Sequence, residues 1–182
     1  MMKRIFYLLF ILLAVAQLYI PAGMIMQREK ILGYGQVFKF KTAPVDPTDI
    51  FRGKYITLRF DATEWKSDTD FSFEEEVFVK LSTDSLGFAS IADVTVNAPG
   101  ETSDYVKALI RNAGDKKFWV DYPFDRFYME ESKAYNAEQS YNRASRDSAS
   151  VAYALVLVLD GKAVVADVII DGVSVKDLVK ED

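Results

Sequence analysis

The chain opens with two charges and then loses them. Lys3 and Arg4 precede an uncharged, mostly apolar run over 5–27. As a helix, such a run crosses a hydrocarbon layer of about 30 Å, and every backbone amide finds its partner within the segment. Pro21 and Gly23 predict a kink near its outer end, and Gly33 and Gly35 break the helical pattern. The pattern then changes to alternation. Over 36–42, Phe38 and Phe40 share one face and Lys39 and Lys41 the other, as in a half-buried strand. Pro44-Val45-Asp46-Pro47 reads as a rigid connection to a second strand over 53–60. There Ile56, Leu58 and Phe60 lie opposite Tyr55, Thr57 and Arg59.

Residues 64–73 read as a polar loop, and 76–82 and 88–96 as strands before the turn Asn97-Ala98-Pro99-Gly100. Over 105–111, Val106, Ala108 and Ile110 share one face, and Asn112-Ala113-Gly114-Asp115 closes the strand. A short extended piece over 117–122 stops at Pro123. The last two strands, 151–159 and 163–170, flank Asp160-Gly161, the strongest hairpin pattern in the chain. Asp171-Gly172 makes a further turn. One stretch, 125–147, lacks Pro and Gly and is rich in Glu, Ala, Lys and Gln, which predicts a helix. On it, Glu131 and Glu138 share one face, and Tyr128 and Tyr135 an adjacent stripe. The expected fold is α+β. An N-terminal transmembrane helix (1–27) leads into one mostly antiparallel β domain (28–182) of six to eight strands, with one helix near 125–147.

The leading segment has a second reading. Lys3 and Arg4 also make a signal-peptide n-region, 5–13 an h-region, and Ala14-Val15-Ala16 a cleavage site. The apolar run continues past that site through Leu18, Ile20, Met24 and Ile25, which a cleaved leader does not need. That favours a retained anchor. Lys3 and Arg4 place the amino terminus in the cytoplasm and the domain outside, although Arg28 and Lys30 oppose this from the far end.

Composition narrows the chemistry. Apolar residues make up 50%, with 13 Phe and 10 Tyr, enough for a real core. A net charge of −5 with interspersed signs disfavours nucleic acid. The chain has no Cys and no His, which removes thiolate chemistry, disulfides, imidazole bases and Cys/His zinc sites. No Ser–Lys nucleophile pair and no glycine-rich phosphate loop stands out, so no catalytic residue, cofactor or metal site is assigned.

Three stretches carry a family resemblance. Ala43-Pro44-Val45-Asp46-Pro47 leads into Ile50-Phe51-Arg52-Gly53-Lys54-Tyr55-Ile56-Thr57-Leu58-Arg59-Phe60. Downstream stands Phe124-Asp125-Arg126-Phe127-Tyr128-Met129-Glu130-Glu131, and in the leading segment Gln17-Leu18-Tyr19-Ile20-Pro21. The chain resembles the GDYXXLXY family of bacterial membrane-anchored proteins over nearly its whole length. Lys54 and Phe60 depart from the signature, which has Asp and Tyr there. The resemblance implies an envelope protein of the bacterial inner membrane, with its domain in the periplasm. It also implies a multi-pass membrane protein, encoded nearby, as a partner beside the lipid bilayer. It implies no established activity.

The charged residues of these stretches read in two ways. Structurally, Asp46 caps a turn, Gly53 allows a positive φ or a close approach, and Arg52 pairs with Asp46 or Asp49. Functionally, Arg52, Lys54 and Arg59 form an anion-binding edge beside Tyr55. Likewise, Arg126, Tyr128, Glu130, Glu131 and Glu138 belong to a solvated helix packed on a sheet, or to a ligand or partner site. Pairing of Arg52 with Asp125, Glu130 or Glu131 would bring the stretches together. The expected function is a non-enzymatic interaction module working with a membrane partner. The alternative is a small-ligand-binding or hydrolytic envelope domain using the Arg52 and Glu130 regions.

Overall fold

A computed structural model describes residues 2–43, 55–69, 71–100, 104–114, 116–129, 137, 139–141, 143–144 and 150–178. The connection 44–49 and Arg52, Gly53, Lys54, Glu130, Glu131, Tyr135 and Glu138 lie outside these residues.

The apolar run becomes one helix, α1 (Met2–Tyr34), which continues through Pro21 and Gly23. Its 33 residues extend about 50 Å at about 1.5 Å per residue, longer than a bilayer core. Within Leu9–Tyr34 the most apolar 18-residue window has a mean hydropathy of 2.1, and none of that window is buried in protein. The helix ends where Gly35 N–H donates to the Ile31 carbonyl at 2.8 Å. A Cβ on Gly35 would stand 2.5 Å from that carbonyl oxygen and 3.0 Å from the Leu157 Cβ, so only glycine lets the chain turn here against the sheet. Gly33, in contrast, lies inside the helix.

Strand β1 (Gln36–Lys41) follows at once. Phe38 and Phe40 point into the core, as the alternation requires. The first sheet orders β1, β9 (Ala152–Leu159), β10 (Lys162–Ile170) and β11 (Val173–Ser174), all antiparallel. Asp160 (φ 50°) and Gly161 (φ 78°) make the expected β9–β10 hairpin. Both angles are positive, as a type I′ turn demands. Asp171 and Gly172 repeat it before β11, and a single helical turn, Val175–Leu178, closes the described chain.

The second sheet orders β3 (Glu64–Lys66), β7 (Lys117–Asp121), β6 (Tyr105–Gly114), β4 (Glu76–Thr83) and β5 (Ala89–Thr95). Val77, Val79, Val106, Ala108, Ile110, Phe118 and Val120 are buried. They meet Ala154, Val156 and Val158 of the first sheet in one core. At one point the sheets touch through backbone: Lys107 N–H donates to the Gly161 carbonyl at 3.0 Å. Four aromatic rings fill one end of the core. Phe40 lies 5.2 Å from Phe60, 5.2 Å from Phe124 and 5.4 Å from Tyr122, in tilted or edge-on contact.

A two-stranded ribbon, β2 (Tyr55–Thr57) with β8 (Arg126–Tyr128), completes the domain. It corrects the start of the expected 125–147 helix. Phe127 is buried between exposed Arg126 and Tyr128, a strand alternation hidden in a window of high helix propensity. Tyr128 therefore cannot share a helical stripe with Tyr135. Helical geometry is present further on, at Ala137, Tyr141 and Ala144 among others, and these three are buried. Two other segments gained strand. Glu64–Lys66, read as loop, pairs with β7, and β6 runs through Asn112–Gly114 by way of a bulge at Arg111. Eleven strands stand among the described residues, more than the six to eight expected, and four of them have three residues or fewer.

Candidate functional site

The signature segment is mainly a structural splice. Ile56, Leu58 and Phe60 are buried. Leu58 N–H donates to the Asp125 carbonyl at 2.7 Å. Beyond it the chain leaves β8 for β1, where Ala43 N–H donates to the Arg59 carbonyl at 2.9 Å and Asp61 N–H to the Lys41 carbonyl at 3.1 Å. The segment thus stitches the ribbon to the first sheet, and its apolar positions complete the core.

Tyr55 is the outward member. Its register partner is Tyr128, with ring centroids 5.4 Å apart. The Arg126 guanidinium lies 5.1 Å from the Tyr55 centroid, a cation–π distance, and 3.7 Å from the Asp125 carboxylate. The Tyr128 hydroxyl and then Asp125 raise the Arg126 pKa above its ordinary value. Of the sequence-predicted site residues, the fold therefore brings Tyr55, Arg126 and Tyr128 together. Arg52, Lys54, Glu130, Glu131 and Glu138 lie outside the described residues. Arg59 is exposed beyond the ribbon.

Beside the ribbon runs a groove of about 1050 Å³, between the C-terminal turns of α1 and the β domain. Met24, Ile25, Arg28 and Ile31 form its helix wall. The opposite wall includes Lys107 and Arg111 of β6, residues 122–128, the start of β10 from Lys162, and Lys176. Several of its cations are held in place. Arg111 bonds Asp121 at 2.6 Å and Glu74 at 3.0 Å, and the Asp121 bond is the main cause of its raised pKa. Lys107 bonds Glu76 at 3.1 Å. Lys176 donates to the Ala166 carbonyl at 3.1 Å and stands 5.2 Å from the Phe127 centroid. Arg28 and Lys162 make no ion pair among the described residues.

The groove was not foreseen in the sequence. The alternation of β6 does send Lys107 and Arg111 outward when Val106, Ala108 and Ile110 face in, but nothing local says that α1 and β10 lie across from them. Lys30 helps seat the helix there, 3.7 Å from Asp160 at the hairpin tip. Chemically, the ribbon and groove offer fixed cations, phenols and apolar surface, an arrangement that holds an anion next to an apolar body. Among the described residues no cluster of three or more acidic side chains could hold a metal ion.

Comparison with the curated proteins and with the solved structures finds no match. The family profile described as GDYXXLXY protein matches residues 17–168, from within α1 to within β10. That span takes in the second half of the helix, the signature strand and the ribbon partner, so this chain belongs to the GDYXXLXY protein family.

Proposed function

We propose that this protein is a single-pass protein of the bacterial inner membrane, with its amino terminus in the cytoplasm and its β domain in the periplasm. It works there as a non-enzymatic interaction module for a membrane partner. The observation that carries the reading is the unbroken passage from α1 into β1. The apolar helix and the sheet share no spacer, and Ile31 is buried against the domain. A spacer-free joint fixes how the domain meets the bilayer, which a recognition module needs and a free tether does not supply. The open apolar surface of α1 suits packing against helices of a multi-pass partner.

A carboxy-terminal alkaline phosphatase fusion is expected to be active and a cytoplasmic fluorescent fusion dark. The reverse pattern sinks the orientation. Intact mass of the membrane-extracted chain is expected to include residues 1–16. A chain beginning at Gln17 would mean that the leader is cleaved. Affinity purification from native membranes is expected to recover a multi-pass protein in stoichiometric amount, and recovery of none rejects the module reading.

A second reading, a ligand-binding or hydrolytic domain using the Arg52 and Glu130 regions, draws support from the β2–β8 pairing. That pairing sets Tyr55–Thr57, which follow Arg52 in the chain, beside Arg126–Tyr128, which precede Glu130.

A further inference from the structure

We infer that the groove between α1 and the β domain is a docking site for the headgroup of an anionic phospholipid from the outer leaflet of the same bilayer. The inference rests on the proposed membrane anchoring and adds a lipid partner to it.

Position comes first. Met24, Arg28 and Ile31 follow one another at helical spacing, so one face of α1 looks into the groove. Along that face the chain passes from the last apolar residues to Arg28, its first charge after Arg4. Where an apolar helix meets its first charge, hydrocarbon gives way to headgroups. The groove opens at that level, beside Met24 and Ile25, which are 69% and 63% exposed. An amphiphile lying along α1 would keep its tails in the bilayer and present its headgroup to the groove.

Charge selects the sign. The whole chain carries −5, yet the charged side chains lining the groove are six basic and three acidic. Lys107, Arg111 and Arg126 already face carboxylates. Arg28 and Lys162 do not, among the described residues. They line the groove from two different elements, one on the helix and one at the start of β10, and offer it two cations. Arg suits a phosphate oxyanion because its planar fork donates two parallel bonds.

Shape and surface agree. A volume of about 1050 Å³ is at the upper end of small-molecule sites, room for a headgroup and its glycerol. Phe127 and the exposed Tyr128 line it, and aromatic rings with polar tips favour the headgroup layer.

The test uses the full-length protein in a neutral maltoside detergent. Dioctanoyl phosphatidylglycerol, dioctanoyl phosphatidylcholine and inorganic phosphate are titrated separately, and binding is read by native mass spectrometry and thermal shift. The phosphatidylglycerol is expected to bind at least about tenfold more tightly than either of the others, and more weakly as salt rises. The double variant R28Q/K162Q is expected to lose about tenfold in affinity at an unchanged Tm. The control K66Q/K80Q removes two exposed charges outside the groove and is expected to bind as the parent does.

Equal affinity for the two lipids overturns the inference. So does a groove variant that binds normally, and so does inorganic phosphate binding as tightly as the phosphatidylglycerol, which would mark a site for soluble anions. Should R28Q/K162Q unfold, crosslinking of a photoactivatable phosphatidylglycerol to the parent decides. Label on 24–31 and 161–166 supports the site, and label elsewhere overturns it. No partner protein enters this assay, so failure to bind lipid leaves the co-purification result standing, and the converse holds too.

Discussion

Tyr55 and Tyr128 are register partners across β2 and β8, with ring centroids 5.4 Å apart and planes tilted by 55°. They come from two of the three stretches that carry the family resemblance. Their pairing is what joins those stretches into one surface, with the Arg126 guanidinium laid against Tyr55. Cross-strand aromatic pairs of this kind contribute roughly 0.2–1 kcal/mol. A double-mutant cycle on Tyr55→Ala and Tyr128→Ala, followed by urea unfolding in detergent, is expected to return a favourable coupling in that range. Strict additivity would mean that the rings are neighbours without energetic consequence.

The aromatic end of the core sets a larger effect. Phe40 is fully buried and touches three other rings. Phe40→Ala removes a ring that its neighbours cannot replace, and the expected loss is about 3–5 kcal/mol. Phe40→Leu keeps most of the volume and should lose clearly less. Thermal denaturation of the two variants checks the order.

Two glycines with similar backbone angles separate strain from crowding. Gly87 (φ 85°) has open space where a Cβ would go, whereas at Gly161 (φ 78°) a Cβ would stand 2.6 Å from the Tyr105 ring. Gly87→Ala is expected to cost about 1 kcal/mol, from the left-handed backbone alone. Gly161→Ala should cost at least about 1 kcal/mol more, because the ring or the hairpin must move. Equal losses would show that Tyr105 yields freely.

Two buried phenols among the described residues, Tyr122 and Tyr141, predict alkaline instability. Burial pushes Tyr122 well above its ordinary range and Tyr141 up to about 12. In the unfolded chain both titrate near 10. Between those values the unfolded state has released protons that the folded state still holds, so stability falls as pH rises. Below about pH 9 neither state ionises and no pH dependence arises from these groups. The decline is expected to begin near pH 10 and to shrink in Tyr122→Phe and Tyr141→Phe. Melting temperatures from pH 8 to 11 test it.

The same two substitutions should differ at pH 7. The Tyr122 hydroxyl donates to the Ala62 carbonyl at 2.7 Å, so Tyr122→Phe loses a hydrogen bond and about 1 kcal/mol. The Tyr141 hydroxyl lies near Thr42 and the Arg59 backbone, but makes no well-formed hydrogen bond among the described residues. Tyr141→Phe is therefore expected to be neutral or slightly stabilising. A loss as large as that of Tyr122→Phe would reveal a partner for the Tyr141 hydroxyl.

Several features were legible in the sequence because their causes are local. The uncharged run over 5–27 specifies a long apolar helix, since only that form satisfies its own amides away from water. Alternation specified that Phe38 and Phe40 of β1, Ile56, Leu58 and Phe60 of the signature segment, and Val106, Ala108 and Ile110 of β6 share a buried face, because successive side chains of a strand point oppositely. Asp160-Gly161 specified its hairpin, because both positions need a positive φ. Tertiary structure decided the rest. Segments as short as Glu64–Lys66 and Arg126–Tyr128 hold too few residues to show a period, and their strand state comes from partners far along the chain. The groove has no sequence signature for the same reason. Its walls belong to α1, β6, β8 and β10, and only the docking of Ile31 and Gly35 against the β9–β10 hairpin brings them face to face. Side-chain polarity is written residue by residue along a chain. The identity of the surface across a gap is a property of the packing.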